Sequence, residues 1–409
     1  MLNWVNRFDV CCFLDSHSYT STYHSVELLA GVGTLQIFQP GDDFFTSLSS
    51  FVHAGDDYIF GHFNYDIKNK TQEGLSSSLP DFTGFPDCFL FIPKIVLLIK
   101  KDVLQIGVIN EDAAAIYDQI INEIEEDKIN APIHINERIS KEKYIAAVKE
   151  LQSHIQLGDC YVINYCQEFF AYANVDPVTL YKQLSRFSPN PFSAFYKLQH
   201  NYLLCASPER FIKKEGETII TQPIKGTAPR NHSDEVLDEA NKTNLYESRK
   251  ERSENVMVVD LVRNDLSKVC TAGTVKVDEL FGIYSFPNVH QMISTVKGNL
   301  CDGTGFGDII KALFPMGSMT GAPKHKVMEL TEQYEHSKRG IYSGTIGYIA
   351  PNKDFDYNVV IRSIVYNQAS SYLSYHVGGA ITSYSIPEDE YEECLLKGRI
   401  MASLLAANG

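Results

Sequence analysis

The run Val359-Val360-Ile361-Arg362-Ser363-Ile364-Val365 carries apolar side chains at odd and even positions alike, broken only by Arg362 and Ser363. Side chains alternate between the two faces of a strand, so this pattern predicts a strand in a sheet covered on both sides. Covering both faces requires further layers, and 409 residues, 44% of them apolar, are enough to build them. Arg362 then has an interior position. A guanidinium keeps its proton, so it needs an anion there, and its planar fork suits a carboxylate held by two hydrogen bonds. An internal Asp or Glu partner is the competing explanation.

Shorter runs at 10–14, 34–38, 58–63, 89–99 and 103–108 read as strands punctuated by turns, an antiparallel region. Residues 111–128 show helical spacing at Ala115, Ile116, Ile120, Ile121 and Ile124, and the loop Asn130-Ala131-Pro132 follows. Ser140 opens a second helix that Gly158-Asp159 ends. Next come a strand over 160–171, a hairpin of 202–207 with 211–222, and a helical stretch from about 233 to 266. Further strands fall at 341–349, 359–366 and 372–378, and a helix over 387–405 closes the chain. Strands and helices without regular alternation, and without a repeat of fixed period, predict an α+β fold.

The charge sum excludes one class of partner. Against 36 Lys and Arg stand 51 Asp and Glu, a net charge of −15, so the basic footprint of a nucleic-acid or anionic-membrane binder is missing. An anionic ligand needs a locally built site. The longest nearly apolar run, 88–99, holds Pro93 and Lys94 and falls short of the ~20 residues of a membrane helix. With no secretory pattern at the start, the expected address is the cytoplasm. Nine cysteines without a CxxC pair read as buried free thiols rather than a zinc site.

Several residues are not explained by folding alone. Lys225 lies in Gln222-Pro223-Ile224-Lys225-Gly226-Thr227, between a rigid and a permissive residue; pressed against apolar walls or another cation, its amine becomes a nucleophile near neutral pH. Glu209, in the turn region of the 202–222 hairpin, suits general-acid work if its carboxyl pKa is raised. Glu254 precedes a strongly apolar helical stripe, and Glu388, Asp389, Glu390, Glu392 and Glu393 crowd before Lys397. Carboxylates from two helices are a usual way to hold Mg²⁺; a solvated helix start also accounts for the terminal cluster. Gly378-Gly379-Ala380 forms either an anion-binding nest at a strand end or a bulge. The loop Gly317-Ser318-Met319-Thr320-Gly321-Ala322-Pro323-Lys324 enters a helix but lacks P-loop spacing.

Together these segments resemble the chorismate-utilising enzymes. The resemblance rests on Gly158-Asp159-Cys160-Tyr161, SPERF at 207–211, PIKGT at 223–227, EN…DLVRNDL at 254–266, GSMTGAPK at 317–324, IRS at 361–363 and EYEECLLK at 390–397, in family order. It implies two packed β-sheets with helices outside. It further implies an N-terminal lobe over 1–110, a helix-bearing linker over 111–135 and a chorismate-binding catalytic domain over 136–409. Lys225 in PIKGT is similar to the aminodeoxychorismate branch, in which a lysine is the proposed covalent nucleophile; anthranilate synthases usually carry Ala there. Isochorismate and salicylate synthases use a lysine at the place of Val162. Relatives commonly carry Gln or Glu at that place, whereas Asn164 and Gln167 match the family.

By the same resemblance Glu254 and Glu393 hold Mg²⁺ against one substrate carboxylate with support from Lys397. Arg362, Tyr348 and the backbone at Gly378, Gly379 and Ala380 receive the other, Thr227 and Gly321 belong to the substrate-binding set, and His290 has a supporting catalytic role. The implied reaction is Mg²⁺-dependent amination of chorismate to 4-amino-4-deoxychorismate through an adduct on Lys225, with Glu209 as acid, on the route to para-aminobenzoate and folate. No amidotransferase motif is present, so a separate glutaminase subunit is the implied ammonia source, with neither nucleic acid nor membrane as partner. The alternatives are an anthranilate synthase component I and a non-catalytic chorismate-binding protein. Phe13-Leu14-Asp15-Ser16 resembles the start of a tryptophan pocket, whose second half, Asn190 to Phe195, departs from the feedback-inhibited pattern.

Overall fold

The structure is a computed structural model that describes residues 1–19, 23, 26–124, 128 and 130–406. Among these residues the strands form two antiparallel sheets, of eleven and ten strands. The first runs, in spatial order, Gly321–Ala322, Val162–Tyr172, Tyr372–Ile381, Ser363–Asn367, Asn201–Ser207, Phe192–Leu198, Val10–Asp15, Leu28–Val32, Ile95–Lys100 and Val103–Val108, with Asn136–Glu137 paired beside Val162–Tyr172. The second runs Ile224–Pro229, Val289–Asn299, Thr218–Gln222, Arg210–Glu215, Phe355–Asn358, Thr345–Ile349, Ile59–Phe63, Cys88–Ile92 and Gln36–Ile37, with Lys276–Ser285 beside Val289–Asn299. The α+β class with packed sheets and outer helices is as the sequence implies.

The two-sided apolar pattern has a direct cause. In Asn201–Ser207, Tyr202, Leu204 and Ala206 pack under the helices, while Leu203 and Cys205 pack between the sheets against Phe60, Phe91 and Ile346 of the second sheet. Helices Lys141–Leu157, Pro177–Phe187 and Pro387–Ala406 cover the outside of the first sheet through Tyr144, Leu151, Leu180, Leu184, Met401 and Leu405. Phe44–His53, Arg249–Ser267 and Phe306–Leu313 cover the second through Leu48, Val259, Val262 and Ile309. Helix ends follow capping chemistry: Ser140 Oγ accepts from the Lys143 amide and Gly158 closes the same helix in the left-handed region.

Where a two-sided apolar run leaves one sheet for the other, the sequence pattern stays unchanged, and the expectations fail there. Residues 359–365 are not one strand: the chain leaves the second sheet at Asn358 and enters the first at Ser363, with Arg362 at φ +54° between them. The expected hairpin of 202–207 with 211–222 is likewise a crossing, from Ser207 in the first sheet through Pro208 and Glu209 to Arg210 in the second. Residues 89–99 cross at Pro93-Lys94. The 233–266 stretch is two helices, Glu235–Glu247 and Arg249–Ser267, meeting at Ser248, whose Oγ caps the second. The helix expected over 111–128 spans Ala113–Ile121, and residues 125–127 lie outside the described set. Leu28–Val32 and Phe44–His53 were not anticipated. Strands of the first 110 residues sit in both sheets, so they do not form a sheet of their own.

A buried ion pair ties these parts together. Arg339 and Glu335 are 2% and 6% exposed. Glu335 Oε1 accepts from Arg339 Nη2 at 2.6 Å and from the Cys166 amide at 2.9 Å. Arg339 also donates to the carbonyls of Met319 at 2.6 Å and Asn164 at 2.8 Å, and lies over the Tyr65 ring. Removing one partner of such a pair strands the other charge in the interior, at a cost of about 3–5 kcal/mol. Arg339→Met should therefore lower unfolding free energy by about that amount in urea titration; a loss below ~1 kcal/mol, the size of an exposed pair, contradicts this role.

Candidate active site

The crossings place chemistry at one end of the sandwich. Glu209 follows Pro208 directly, 4% exposed, its amide bonded to Ser207 Oγ and its carbonyl to the Val359 amide. Lys225 lies on Ile224–Pro229, where pairing with Val289–Asn299 slips between Ile224 and Thr227. Gly226 takes φ +94° at this irregularity, and a Cβ there would come within 3.1 Å of Glu251 Oε2 and Leu245 Cδ1. Glycine thus allows the lysine strand to lie close against the Arg249–Ser267 helix.

Lys225, Glu209, Glu254, Glu393 and Lys397 lie within electrostatic reach of one another. Burial lowers the Lys225 pKa and the Lys397 charge lowers it further, against the three carboxylates. Burial raises the Glu209 carboxyl to about 7, opposed by a hydrogen bond from Ser318, the Lys225 charge and the Ile224 amide. Burial also raises Glu251 and Glu254 on one helix and Glu390 on the other. Glu393 is the exception: Lys397, 2.7 Å from its Oε1, holds it low. Glu251 and Glu390 thus join Glu254 and Glu393. The spacing Glu251…Glu254 and Glu390…Glu393, three residues apart on each helix, signals one face in each case.

The second half of the site lies where the first sheet opens. Ser363–Asn367 pairs with Tyr372–Ile381 only over Tyr372–Ser374, so Tyr375 to Ile381 has a strand on one edge alone. Gly378, Gly379 and Ala380 are therefore inside a continuing strand, paired with Cys166, Tyr165 and Asn164, and not at a strand end. A Cβ on Gly379 would meet Glu390 Oε2 at 3.1 Å and Lys397 Nζ at 3.8 Å, so the bare backbone faces the carboxylate helix. Arg362 donates from Nη1 to the Lys397 carbonyl at 2.8 Å, and among the described residues no Asp or Glu pairs with it. Its guanidinium thus keeps capacity for an external carboxylate. Arg362, Lys397, Thr227 and Gln291 line one cavity.

Two sequence assignments are corrected. Tyr348 is not at this carboxylate site: it packs against Tyr58 and Phe60 and lines a different cavity, beside Arg210 and Asp356. Tyr342 is the tyrosine within reach of Arg362; it stacks on His376 with ring centroids 5.1 Å apart. His290 faces away, bonded to Ser285 Oγ at 2.8 Å and Asp238 Oδ1 at 3.1 Å, and the alternation of the strand puts Gln291 at the cavity instead. The buried Gln291 Oε1 has no hydrogen-bond partner among the described residues.

Gly321 serves the fold at close quarters: a Cβ there would lie 2.0 Å from the Val162 carbonyl. In the same loop Lys324 is 2.5 Å from Asp265 and bonded to the Leu313 and Pro315 carbonyls, which makes it a clamp rather than an anion ligand. Leu14, Asp15 and Ser16 meet Pro191, Phe192 and Ser193 around the Tyr348 cavity. All nine cysteines are free; seven are buried, Cys88 is half-buried and Cys301 is exposed.

Among the described residues no three His, Cys, Asp or Glu side chains converge on one point. Carboxylates crowded on two helices, with three held above their ordinary pKa, nevertheless fit a hard divalent cation. Mg²⁺ takes one or two protein carboxylates and completes its shell with water and substrate oxygens. Glu254 and Glu393 would be the residues to hold such an ion, with Glu251 and Glu390 beside them.

The chain is similar to proteins of one known family. The family model described as chorismate binding enzyme matches residues 22–403. The chain is 38% identical over 267 residues to aminodeoxychorismate synthase component 1 of Escherichia coli K12, covering 65% of this chain and 58% of that protein. It is 30% identical over 357 residues to anthranilate synthase component 1 of Thermus thermophilus, covering 84% of this chain and 76% of that one. Anthranilate synthase component I from Streptococcus pneumoniae has the same fold, with a TM-score of 0.81 at 23% identity and 94% of each chain covered. Matches to the curated aminodeoxychorismate synthases span between about a third and three fifths of their length. Among the described residues no helix is long and apolar enough to cross a membrane.

The raised Glu209 carboxyl has a consequence for stability. Its folded pKa of about 7 exceeds the ordinary glutamate value of 4.5, so its contribution is fully present below pH ~4.5 and is lost as pH rises through about 7. Replacing it by an uncharged isostere, Glu209→Gln, should leave stability near pH 4.5 little changed and raise it by a few kcal/mol, order of magnitude, at pH 8. Equal pH slopes for the two proteins in chemical denaturation contradict the assigned environment.

Proposed function

The chain belongs to the chorismate binding enzymes, and from that premise we propose that it aminates chorismate to 4-amino-4-deoxychorismate, with Lys225 as covalent nucleophile and ammonia delivered by a glutaminase partner. The observation that carries the reading is the position of the half-buried Lys225 amine, its pKa lowered by burial and by the Lys397 charge, beside the buried Glu209 carboxyl. A binding protein has no use for a nucleophile and an acid poised together. Aminodeoxychorismate synthases from several organisms are 36–40% identical to about two thirds of the chain, and those named component 1 imply a second component.

In this reading the protonated Glu209 donates its proton to the ring hydroxyl at carbon 4, which departs as water. The neutral Lys225 amine forms a bond to carbon 2 as the ring double bonds shift, and the resulting ammonium passes a proton back to the Glu209 carboxylate. Ammonia then bonds to carbon 4, the double bonds shift back, the carbon 2–nitrogen bond breaks, and the departing lysine nitrogen takes the proton that the new ammonium at carbon 4 gives up. The sum is chorismate plus ammonia giving aminodeoxychorismate plus water, with the enolpyruvyl group kept. Mg²⁺, when bound by Glu254 and Glu393, supplies charge neutralisation to one substrate carboxylate. Arg362 and the backbone of Gly378 to Ala380 orient the other, with Tyr342 beside them and Thr227 on the wall of the pocket. A net charge of −15 does not prevent dianion binding, because at an effective dielectric of ~20 a pair at ~4 Å is worth roughly 4 kcal/mol, while distant charges are screened.

The Thermus anthranilate synthase match over most of the chain makes product identity the deciding measurement. Chorismate, Mg²⁺ and ammonium incubated with the protein should yield, by mass spectrometry, a product that retains the three enolpyruvyl carbons. Anthranilate refutes the proposal, and so does an absence of turnover. Glutamine should replace ammonium only once a glutaminase is added. Lys225→Ala should sharply reduce amination, and full activity in it removes the covalent route. At fixed free ammonia the rate should fall as pH rises through about 7, where Glu209 ionises. Glu209→Gln should cost about 10²–10⁴-fold in kcat and flatten that limb.

A further inference from the structure

We propose that Lys397 is a place-holding cation: its ammonium neutralises Glu393 while the pocket is empty, surrenders that carboxylate to the divalent metal ion, and turns to a carboxylate of the incoming ligand. This rests on the reading that a divalent cation binds at Glu254 and Glu393. Lys397 Nζ lies 2.7 Å from Glu393 Oε1 and 3.1 Å from the Gly378 carbonyl. It therefore spans the carboxylate that the metal needs and the strand that borders the ligand. The side chains of the pair are 31% and 42% exposed, loose enough to separate without emptying a packed interior. The backbone of Lys397 is held instead, its carbonyl accepting from Arg362 at 2.8 Å. The flexible stem can thus swing from a fixed base that also positions the guanidinium for carboxylates.

Two cations cannot share one carboxylate oxygen cheaply. An ammonium at 2.7 Å occupies one oxygen of Glu393, and a dication approaching it meets like charge as well as a taken ligand. Among the described residues Glu251, Glu254 and Glu390 have no such hydrogen-bonded lysine; Lys250, on the same helix as Glu254, acts on them through space. The swap also gives the ammonium somewhere to go only when a carboxylate arrives. Metal and dianion should therefore strengthen each other's binding, and the coupling must be reciprocal.

The test is titration of the full chain with Mn²⁺, followed by the electron paramagnetic resonance signal of the free ion, with and without chorismate in ammonium-free buffer. Without chorismate, Lys397→Met should bind Mn²⁺ about three- to fivefold more tightly than the unaltered protein, the worth of a half-exposed ion pair. Lys397→Arg, which keeps the cation, should not. Lys250→Met removes one positive charge from the same cluster and controls for charge alone; it should tighten binding less than Lys397→Met. Chorismate should strengthen Mn²⁺ binding in the unaltered protein more than in Lys397→Met. Equal affinities of the Met variants, or no change at Lys397, overturn the place-holding role while leaving the metal site standing. Absence of Mn²⁺ binding in every protein even with chorismate, matched by Glu393→Gln, overturns the metal reading itself. Thermal melts confirm that each variant is folded.

Discussion

The Glu335–Arg339 pair is the constraint on which the rest of the site depends. It sits between the Val162–Tyr172 strand, through Asn164 and Cys166, and the 317–319 turn, through the Met319 carbonyl. That turn carries Ser318, which hydrogen-bonds Glu209. Tyr342, three residues beyond Arg339, lies against Arg362 and His376. An apolar pair of equal volume could fill this space with no loss of stability. It could not bind a strand amide, two carbonyls and a neighbouring ring from fixed directions, and so could not set the turn, the strand and the tyrosine in register.

The placement of chemistry follows from covering both sheets. Strands packed on two sides leave no position for a working polar group along their length, so such groups gather where the chain passes from one sheet to the other or where strand pairing lapses. Glu209 and Arg362 occupy two crossings, Lys225 an irregularity of pairing, and Gly378 to Ala380 the stretch beyond the reach of Ser363–Asn367. The two helices bearing carboxylates close the same end from outside. The site groups on the strand segments are thus held at breaks in regular structure that the sandwich itself requires, while its remaining carboxylates and Lys397 stand on two regular helices.

This explains what could be read from the sequence. Caps and period signals gave the Lys141–Leu157 helix from Ser140 to Gly158, because those are local effects. The crossings at 93, 208 and 359–362 were invisible, because an apolar run alternates identically whether its two halves belong to one sheet or to two. Motif resemblance singled out Lys225, Glu209, Glu254, Arg362 and Glu393, which the fold brings together. It failed by one residue at His290, where only the strand's facing distinguishes His290 on Asp238 from Gln291 in the cavity. It failed by six at Tyr348, since neither tyrosine carries a local mark of which sheet gap it enters.

The shifts at Glu209 and Lys225 have a common origin. Placed side by side in water, a carboxyl and an amine exist as an ion pair; here burial raises Glu209 to about 7 and lowers Lys225, and both shifts favour the uncharged pair. Mutual attraction opposes this, since each lies among the charges that stabilise the ionised form of the other, yet desolvation dominates at both. One act of burial therefore moves both groups toward their uncharged forms at once. Lys397 tips the balance further, because its charge weighs against protonating Lys225. A dication beside Glu254 and Glu393 would press in the same direction, since those two carboxylates are among the groups that favour the charged lysine, and neutralising them removes that support. The carboxylate helices therefore bear on the protonation of Lys225 as well as on any cation between them.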